Sequence, residues 1–342
     1  MDQSYLTQIP PELAMEILYK LEPYQVRQAC LLGKHFAQKV CTPNFWNLYI
    51  LKNAKRVFYY DIFKNKFTDI GKFYDIIGTS GHNIILSGLK GNVNAFDITT
   101  NKLSLLAEAG IRKYITNTAA DINYAIDYNG NLVVLTPEKF KIVATPLYGF
   151  KVKNAILYLK KALILYANGD LHYTAEYIDE NLSPFQSNVK QIVSAWFDHD
   201  VVILYTNGNL AKLDLRNKQL KPIATETKFE YIQPNSDSNK LFLTDKNDYG
   251  WLLNIVSFKD FIALGMKLKQ GLLFNRFGSG IFVGLSFDGI LVYKTIITKE
   301  KIEEQDESKM VKHDFKLFNS PTNKKAVKIL NLNDNLVISY YN

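Results

Sequence analysis

The sequence predicts a small all-α domain of three to four helices followed by an all-β, seven-bladed β-propeller, with one blade shared between N- and C-terminal strands to close the ring. Three observations carry this: a turn glycine that returns at nearly constant spacing, a change of hydrophobic period near residue 54, and a chain end that falls half-way through a repeat.

Turn glycines that follow one apolar run and precede another stand at Gly91 ("LKGNVNAFD"), Gly130, Gly169, Gly208, Gly250 and Gly289, at intervals of 39, 39, 39, 42 and 39 residues. Asn-Gly between alternating apolar stretches signals a two-residue hairpin, in which both turn residues take positive φ. A period of about 40 residues with room for four short strands is the pattern of a propeller blade. A seventh copy precedes these six in "VFYYDIFKNKFTDI", where Asp61 aligns with Asp97 and Asp214. The last segment, "AVKILNLNDNLVISYYN", supplies two strands and stops at Asn342; the outer strands it lacks are those starting at Arg56. Sharing a blade between the termini removes the exposed edges an open ring would leave. The charged stretch 298–325 reads as an inserted, solvent-exposed and mobile loop before the last blade. The predicted domains are therefore 1–54 and 55–342.

A chain of 342 residues with 47% hydrophobic residues can bury a sizeable core. Its net charge of +8 comes from lysines scattered along the whole length, so a nucleic-acid partner is not indicated. There is no apolar run of membrane-spanning length and no basic start with an apolar stretch behind it, so an intracellular protein, cytoplasmic or nuclear, without a membrane partner is expected. The two cysteines, Cys30 and Cys41, are expected as small core residues and not as a disulfide or a metal pair.

In the first fifty residues the period changes to helical. Leu13, Ile17 and Leu21, with Ala14 and Leu18 beside them, follow Pro10-Pro11; Pro23 opens a second helix with Val26, Ala29 and Cys30; Thr42-Pro43 is a cap and first-turn proline ahead of Phe45 and Trp46. So small a domain has an apolar face that needs a partner.

Residues 6–50 resemble an F-box. The resemblance rests on Ile9, Pro10 or Pro11, Glu12 and Leu13, then Ile17, Leu18 and Leu21, and later Ala29-Cys30, Phe36, Val40 and Phe45-Trp46; "LLGKHF" departs from the family's usual basic pair before the aromatic. It implies docking on a Skp-type adaptor, and through it on a cullin, with Ile9, Pro10, Pro11, Leu13, Ile17, Leu18, Leu21, Phe45 and Trp46 as adaptor-binding residues. The chain would then be the substrate-recognition subunit of a ubiquitin ligase, a monomer within that complex, its propeller binding a protein substrate. The alternative is a non-enzymatic propeller scaffold, or a binding protein resembling a guanine-nucleotide exchange factor, whose helices only cap the ring. The propeller itself resembles Trp-Asp repeats at Phe96-Asp97 and Leu213-Asp214, and repeats of the regulator of chromosome condensation at "VKQIVSAWFDHDVVILYTNGNLAKLD", without that family's Trp-Gly end.

For chemistry, the strongest cluster is Asp198-His199-Asp200, but neighbouring strand residues point to opposite faces and cannot converge on one ion. His82 lies nine residues before Gly91, as His199 lies nine before Gly208, so this repeated position is read as serving blade packing. With no phosphate loop, nucleophile elbow or paired-cysteine zinc pattern, no catalytic residue, metal or cofactor is expected. For the substrate, the connections between blades offer Tyr148, Phe150, Lys151, Phe185, Lys228 and Phe229, which combine aromatic area with positive charge.

Overall fold

The computed structural model describes residues 9–31, 34–62, 64–89, 91–107, 110–115, 123–135, 140–147, 149–158, 161–175, 183–195, 199–233, 240–276, 279–297, 316–332 and 335–341. Four helices come first: α1 (Pro11–Tyr19), α2 (Pro23–Leu31), α3 (Lys34–Lys39) and α4 (Pro43–Asn53). Proline opens three of them, where its missing N–H would have had no helical acceptor. At α4 the Thr42 hydroxyl accepts the Phe45 amide at 3.2 Å, the expected cap. Ala14, Leu18, Val26, Val40, Phe45 and Tyr49 form the core of this unit, and Ile9, Leu21 and Trp46 pack partly buried against it.

One expectation fails here. Cys30, near the end of α2, and Cys41, just before the α4 cap, are joined by a disulfide with their Cα atoms 5.9 Å apart. The eleven-residue separation hid this, because it is the turn through α3 that doubles the chain back to bridging distance.

Seven sheets make the propeller. Blade 1 is Asp75–Ser80, Asn83–Ser87, Val93–Asp97 and Lys102–Ala107; blade 2 is Ile111–Ile115, Asn123–Asp127, Leu132–Leu135 and Phe140–Ala144; blade 3 has three described strands, Val152–Tyr158, Lys161–Tyr166 and Leu171–Ala175. Blade 4 is Val189–Ser194, Asp200–Tyr205, Leu210–Asp214 and Gln219–Ile223; blade 5 is Phe229–Gln233, Lys240–Asp245, Tyr249–Asn254 and Phe261–Lys267; blade 6 is Gln270–Arg276, Ser279–Leu285, Leu291–Ile297 and Lys316–Leu317. Blade 7 takes Ala326–Leu332 and Asn335–Tyr341 from the C-terminus and Lys55–Asp61 and Lys66–Phe73 from the N-terminus. Lys55 to Tyr60 pair antiparallel with Tyr341 to Leu336, so the ring closes across the termini as the half-finished repeat implied. Within the stretch read as an inserted loop, Lys316–Leu317 is instead the fourth strand of blade 6, pairing with Val292 and Tyr293; residues 298–315 lie outside the described residues. The core sits between blades: Ile115, Tyr124, Ile126 and Leu132 of blade 2 pack against Val152, Ala155, Leu157 and Ile164 of blade 3.

The repeated glycine has a cause the hairpin rule did not contain. In blades 2, 3, 4 and 6 its carbonyl accepts the amide that opens the next blade: Val152 on Gly130 at 3.0 Å, Val189 on Gly169 at 2.9 Å, Phe229 on Gly208 at 3.0 Å and Ala326 on Gly289 at 2.9 Å. A Cβ on Gly208 would lie 3.0 Å from the Phe229 carbonyl oxygen, so the position must be bare as well as left-handed, at φ 85°. The turn type differs from the expectation too. Gly208 N–H donates to Tyr205 O and Tyr205 N–H to Asn209 O, a three-residue loop in which the glycine alone takes positive φ. The asparagine ahead of it serves through its side chain, Asn207 Oδ1 accepting the Asn209 amide at 3.0 Å. In blade 5 the left-handed residue is Asp248 (φ 68°), whose carbonyl accepts Leu268 N–H at 3.0 Å, and Gly250 lies inside a strand. That correction dissolves the irregular 42-residue interval.

The aligned aspartates are explained as well. Asp61, Asp97 and Asp214 end strands that lead into turns, and each carboxylate accepts an amide of the turn that follows: Lys64 at 3.0 Å, Thr99 at 2.7 Å and Arg216 at 2.8 Å. These bonds, led by the Thr99 hydroxyl, hold the Asp97 carboxyl down at about 2.

Candidate binding surfaces

Two surfaces stand out, the helical unit and the mouth of the central channel, and both lie on the side of the ring that carries the repeated turns. A single residue, the buried Ala54, separates α4 from the first propeller strand. Tyr24 of α2 wedges into that side: its ring stacks on Tyr128 at 5.0 Å, and the Cα atoms of Gly91 and Gly110 face it so closely that a Cβ on either would collide. Burial is the first cause that pushes up the hydroxyls of Tyr49, Tyr74 and Tyr128; the charge of Glu22 comes next at Tyr74, which rises to about 12, a hydrogen bond with Glu22 comes next at Tyr128, and at Tyr49 Tyr74 precedes Glu22. The helices are thus seated on blades 1 and 2.

The unit keeps part of its apolar surface in water. Leu13 and Ile17, one turn apart on α1, are 50% and 46% exposed, and Leu48 and Leu51 on α4 are 48% and 63% exposed. Of the residues assigned to an adaptor, Pro10 is exposed and Pro11 half-buried, while Ile9, Leu21 and Trp46 pack partly against the unit's core. Leu18 and Phe45 are 2% and 1% exposed and face inward. They hold the unit together and cannot meet a partner without unfolding it; helical spacing groups residues on a face but does not say which face is covered.

The channel mouth went unnoticed in the sequence. The first strand of each sheet stands at one edge of it and is linked by side-chain hydrogen bonds to the first strand of the next blade, so these strands form the inner wall of the ring. Counting from the residue that opens each of blades 2 to 7, the next two positions are Arg112 and Lys113, Lys153 and Asn154, Lys190 and Gln191, Glu230 and Tyr231, Lys269 and Gln270, Val327 and Lys328; in blade 1 the first strand begins at Asp75. Most of them reach to the following blade. Arg112 Nη2 donates to Val152 O at 2.9 Å, Lys113 Nζ to Asn154 Oδ1 at 2.7 Å, Lys153 Nζ to Lys190 O at 2.7 Å, and Lys269 Nζ to Val327 O at 3.4 Å. Asn154 Nδ2 donates to Ile192 O at 2.9 Å, and Gln270 Oε1 accepts the Ile329 amide at 2.9 Å. Among the described residues of this wall, Lys190 and Lys328 are the two that meet carboxylates, Glu230 and Asp75 respectively, the second at 3.2 Å. Burial, with repulsion from Arg112, Lys328 and Lys153, pushes the Lys113 ammonium down to about 8, and burial with Lys190 lowers Lys153.

The substrate residues scatter. Tyr148 lies outside the described residues; Phe150 is exposed; Lys151 and Lys228 sit under Gly130 and Gly208 and donate to Tyr128 O and Asn209 Oδ1. Phe185 packs partly buried against the blade 3 and blade 4 core, and Phe229 is 1% exposed inside the blade 4 and blade 5 core, so these two seal blades and offer no surface to a substrate. At the repeated histidine position the backbone carbonyls of His82 and His199 accept the amides of Ile98 and Leu215, at 3.0 and 2.7 Å, bonds that do not use the imidazole ring. Asp198 lies outside the described residues, yet His199, Asp200 and a residue not considered, Asp214, bring ligand atoms within 4.8 Å of one another. Cations already hold both carboxylates, Lys212 on Asp200 at 2.7 Å and Arg216 on Asp214 at 3.0 Å, so the cluster is an ion-paired brace of blade 4.

No protein-family model matches the chain, and no curated protein does. Solved structures match in fold. Prp20p of Saccharomyces cerevisiae, studied for its binding to Gsp1p and histones, superposes with a TM-score of 0.55 at 10% identity, over 86% of this chain and 94% of that one. Yeast RCC1 (Prp20) in complex with Kap60 gives 0.54 at 10% identity over 87% and 91%, and the computationally designed Ika8 protein 0.51 at 12% over 85% and 91%. At such identities the likeness shows the fold alone: the chain is a seven-bladed propeller similar to these.

Proposed function

We propose that the chain is a non-enzymatic binding scaffold: a rigid propeller that holds a macromolecular partner while its helical unit offers a second, apolar surface. The observation that carries the reading is the pair Leu13 and Ile17, half exposed one turn apart on α1, with Leu48 and Leu51 of α4 also in water, on a unit that is otherwise packed on its own core and on the ring. An apolar stripe left in water on a firmly seated element suits another protein. The similarity in fold to Prp20p, studied for its binding to Gsp1p and histones, puts proteins of those kinds among the partners to try.

The same stripe favours a second reading. Leu13 and Ile17 belong to the segment that resembles an F-box, and the one-residue connection at Ala54 would fix the geometry between a Skp-type adaptor and cullin on one side and a substrate on the other. Purified adaptor is to be offered to the parent and to a Leu13→Asp, Ile17→Asp double variant, which spares the buried Leu18. Capture by the parent alone supports the ligase-receptor reading. Failure of the folded parent to bind ends it and leaves the scaffold; capture by both proteins refutes the role of this face.

A further inference from the structure

We propose that the channel mouth on the turn side is a binding site for a small, multiply charged phosphate ligand. The proposal is independent of the helical unit and of any adaptor. Arg112, Lys113, Lys153, Lys190, Lys269 and Lys328 occupy the first two positions behind the opening residue on the inner wall, and among the described residues of that ring only Glu230 and Asp75 oppose them. Four of the six cations, on blades 2, 3 and 6, bond to neutral oxygens in the hydrogen bonds described above. A channel wall needs polar groups to bond from blade to blade, but amides suffice for that, as Asn154, Gln191 and Gln270 show. Ammonium and guanidinium groups in the same places add mutual repulsion that packing does not require and that an anion would relieve.

The form of the ring selects the ligand. The inner wall carries the six cations, whereas the turns outside it carry Asp170, Asp248 and Asp288 as well as Lys151, Lys228 and Lys325. A nucleic-acid strand lying across the face would need a basic track continuing over that mixed rim. A compact polyanion entering the mouth meets cations from opposite sides of the ring at once. Phosphate groups, each with several acceptor oxygens, match donors that arrive singly from successive blades.

The test is calorimetric titration of the full chain with inorganic tripolyphosphate at low ionic strength. The parent should bind one equivalent, with affinity falling steeply as salt is added. An Arg112→Gln, Lys153→Gln variant should bind at least about tenfold more weakly, which is about 1.4 kcal/mol; Lys269→Gln, across the ring, should weaken binding too, and Lys221→Gln on the outer strand of blade 4 should leave it unchanged. Thermal melts of the ligand-free variants should stay cooperative with midpoints near the parent's, since glutamine keeps an N–H donor for the blade-to-blade bond while the charge is removed. Equal affinity of parent and ring variants, or weakening by Lys221→Gln as large as by the others, overturns the site. Tighter binding of a glutamate oligopeptide or a single-stranded oligonucleotide than of tripolyphosphate at matched charge overturns the ligand class.

Discussion

Replacing Lys113 by methionine tests the electrostatics of the channel without any ligand. Lys113 is held near 8 in the folded chain against 10.5 for an ordinary lysine, mainly by burial. In the unfolded chain the ammonium binds its proton more tightly than in the folded one. Between pH 8 and 10.5 the unfolded state therefore holds more protons, and the linkage relation makes stability rise with pH across that window. A full shift of this size corresponds to about 3 kcal/mol at about 1.36 kcal/mol per unit, and because the side chain is only partly shielded from water we expect about 1 to 2 kcal/mol. A methionine side chain carries no titrating proton, so the variant lacks this rise. At neutral pH it also loses the Nζ donor to Asn154 Oδ1, which costs about 1 kcal/mol or more, so the sign at one pH is uninformative. The difference between pH values is the informative quantity, because every other titrating group is common to both proteins. Urea unfolding of parent and Lys113→Met at about pH 7.5, 8.5 and 9.5 should show the parent gaining on the variant by about 1 kcal/mol or more over that range. Parallel curves, or a parent that loses ground as pH rises, would show that Lys113 is not strained by its surroundings and would remove the reason for calling the ring repulsive.

The glycine latch predicts a contrast between two alanine substitutions. Gly208→Ala must place a Cβ at φ 85° against the Phe229 carbonyl and the Lys228 side chain, and should cost about 2 to 4 kcal/mol, whereas Gly149→Ala, at φ 80° with nothing near its added Cβ, should cost only the left-handed strain of about 1 kcal/mol. Equal urea midpoints for the two would mean the turn needs glycine for conformation alone. Tyr24→Ala should free the helical unit from blades 1 and 2 by removing the stack on Tyr128, so amide exchange should speed up through α1 to α4 while the propeller strands keep their protection; unchanged exchange in the helices would place the anchorage elsewhere.

What could be read in advance followed from how often a signal was repeated and how local its cause was. The blade count was legible because Gly130, Gly169, Gly208 and Gly289 obey one steric demand at one spacing, even though the demand comes from the next blade and not from the turn itself. Asp248 broke the pattern because an aspartate can also take positive φ, which moved the sequence match to the unrelated Gly250. The disulfide was hidden by a chain reversal that no spacing encodes, and the inward aim of Leu18 and Phe45 by a helical period that marks a stripe without saying what covers it. The channel is a different case. Its opening positions, Arg112, Lys153, Lys190, Glu230 and Lys269, recur at intervals of 41, 37, 40 and 39 residues, the period that revealed the fold. Read one residue at a time, those lysines belong to a net charge of +8 spread evenly along the chain. A propeller is the fold in which even spacing in sequence becomes convergence in space, because each repeat delivers the same position to one central wall. Evenly scattered charge is therefore weak evidence against a charged site in this architecture, and the phase of each lysine within the repeat decides whether it faces solvent on the outer strand, as Lys221 does, or its neighbours across the channel.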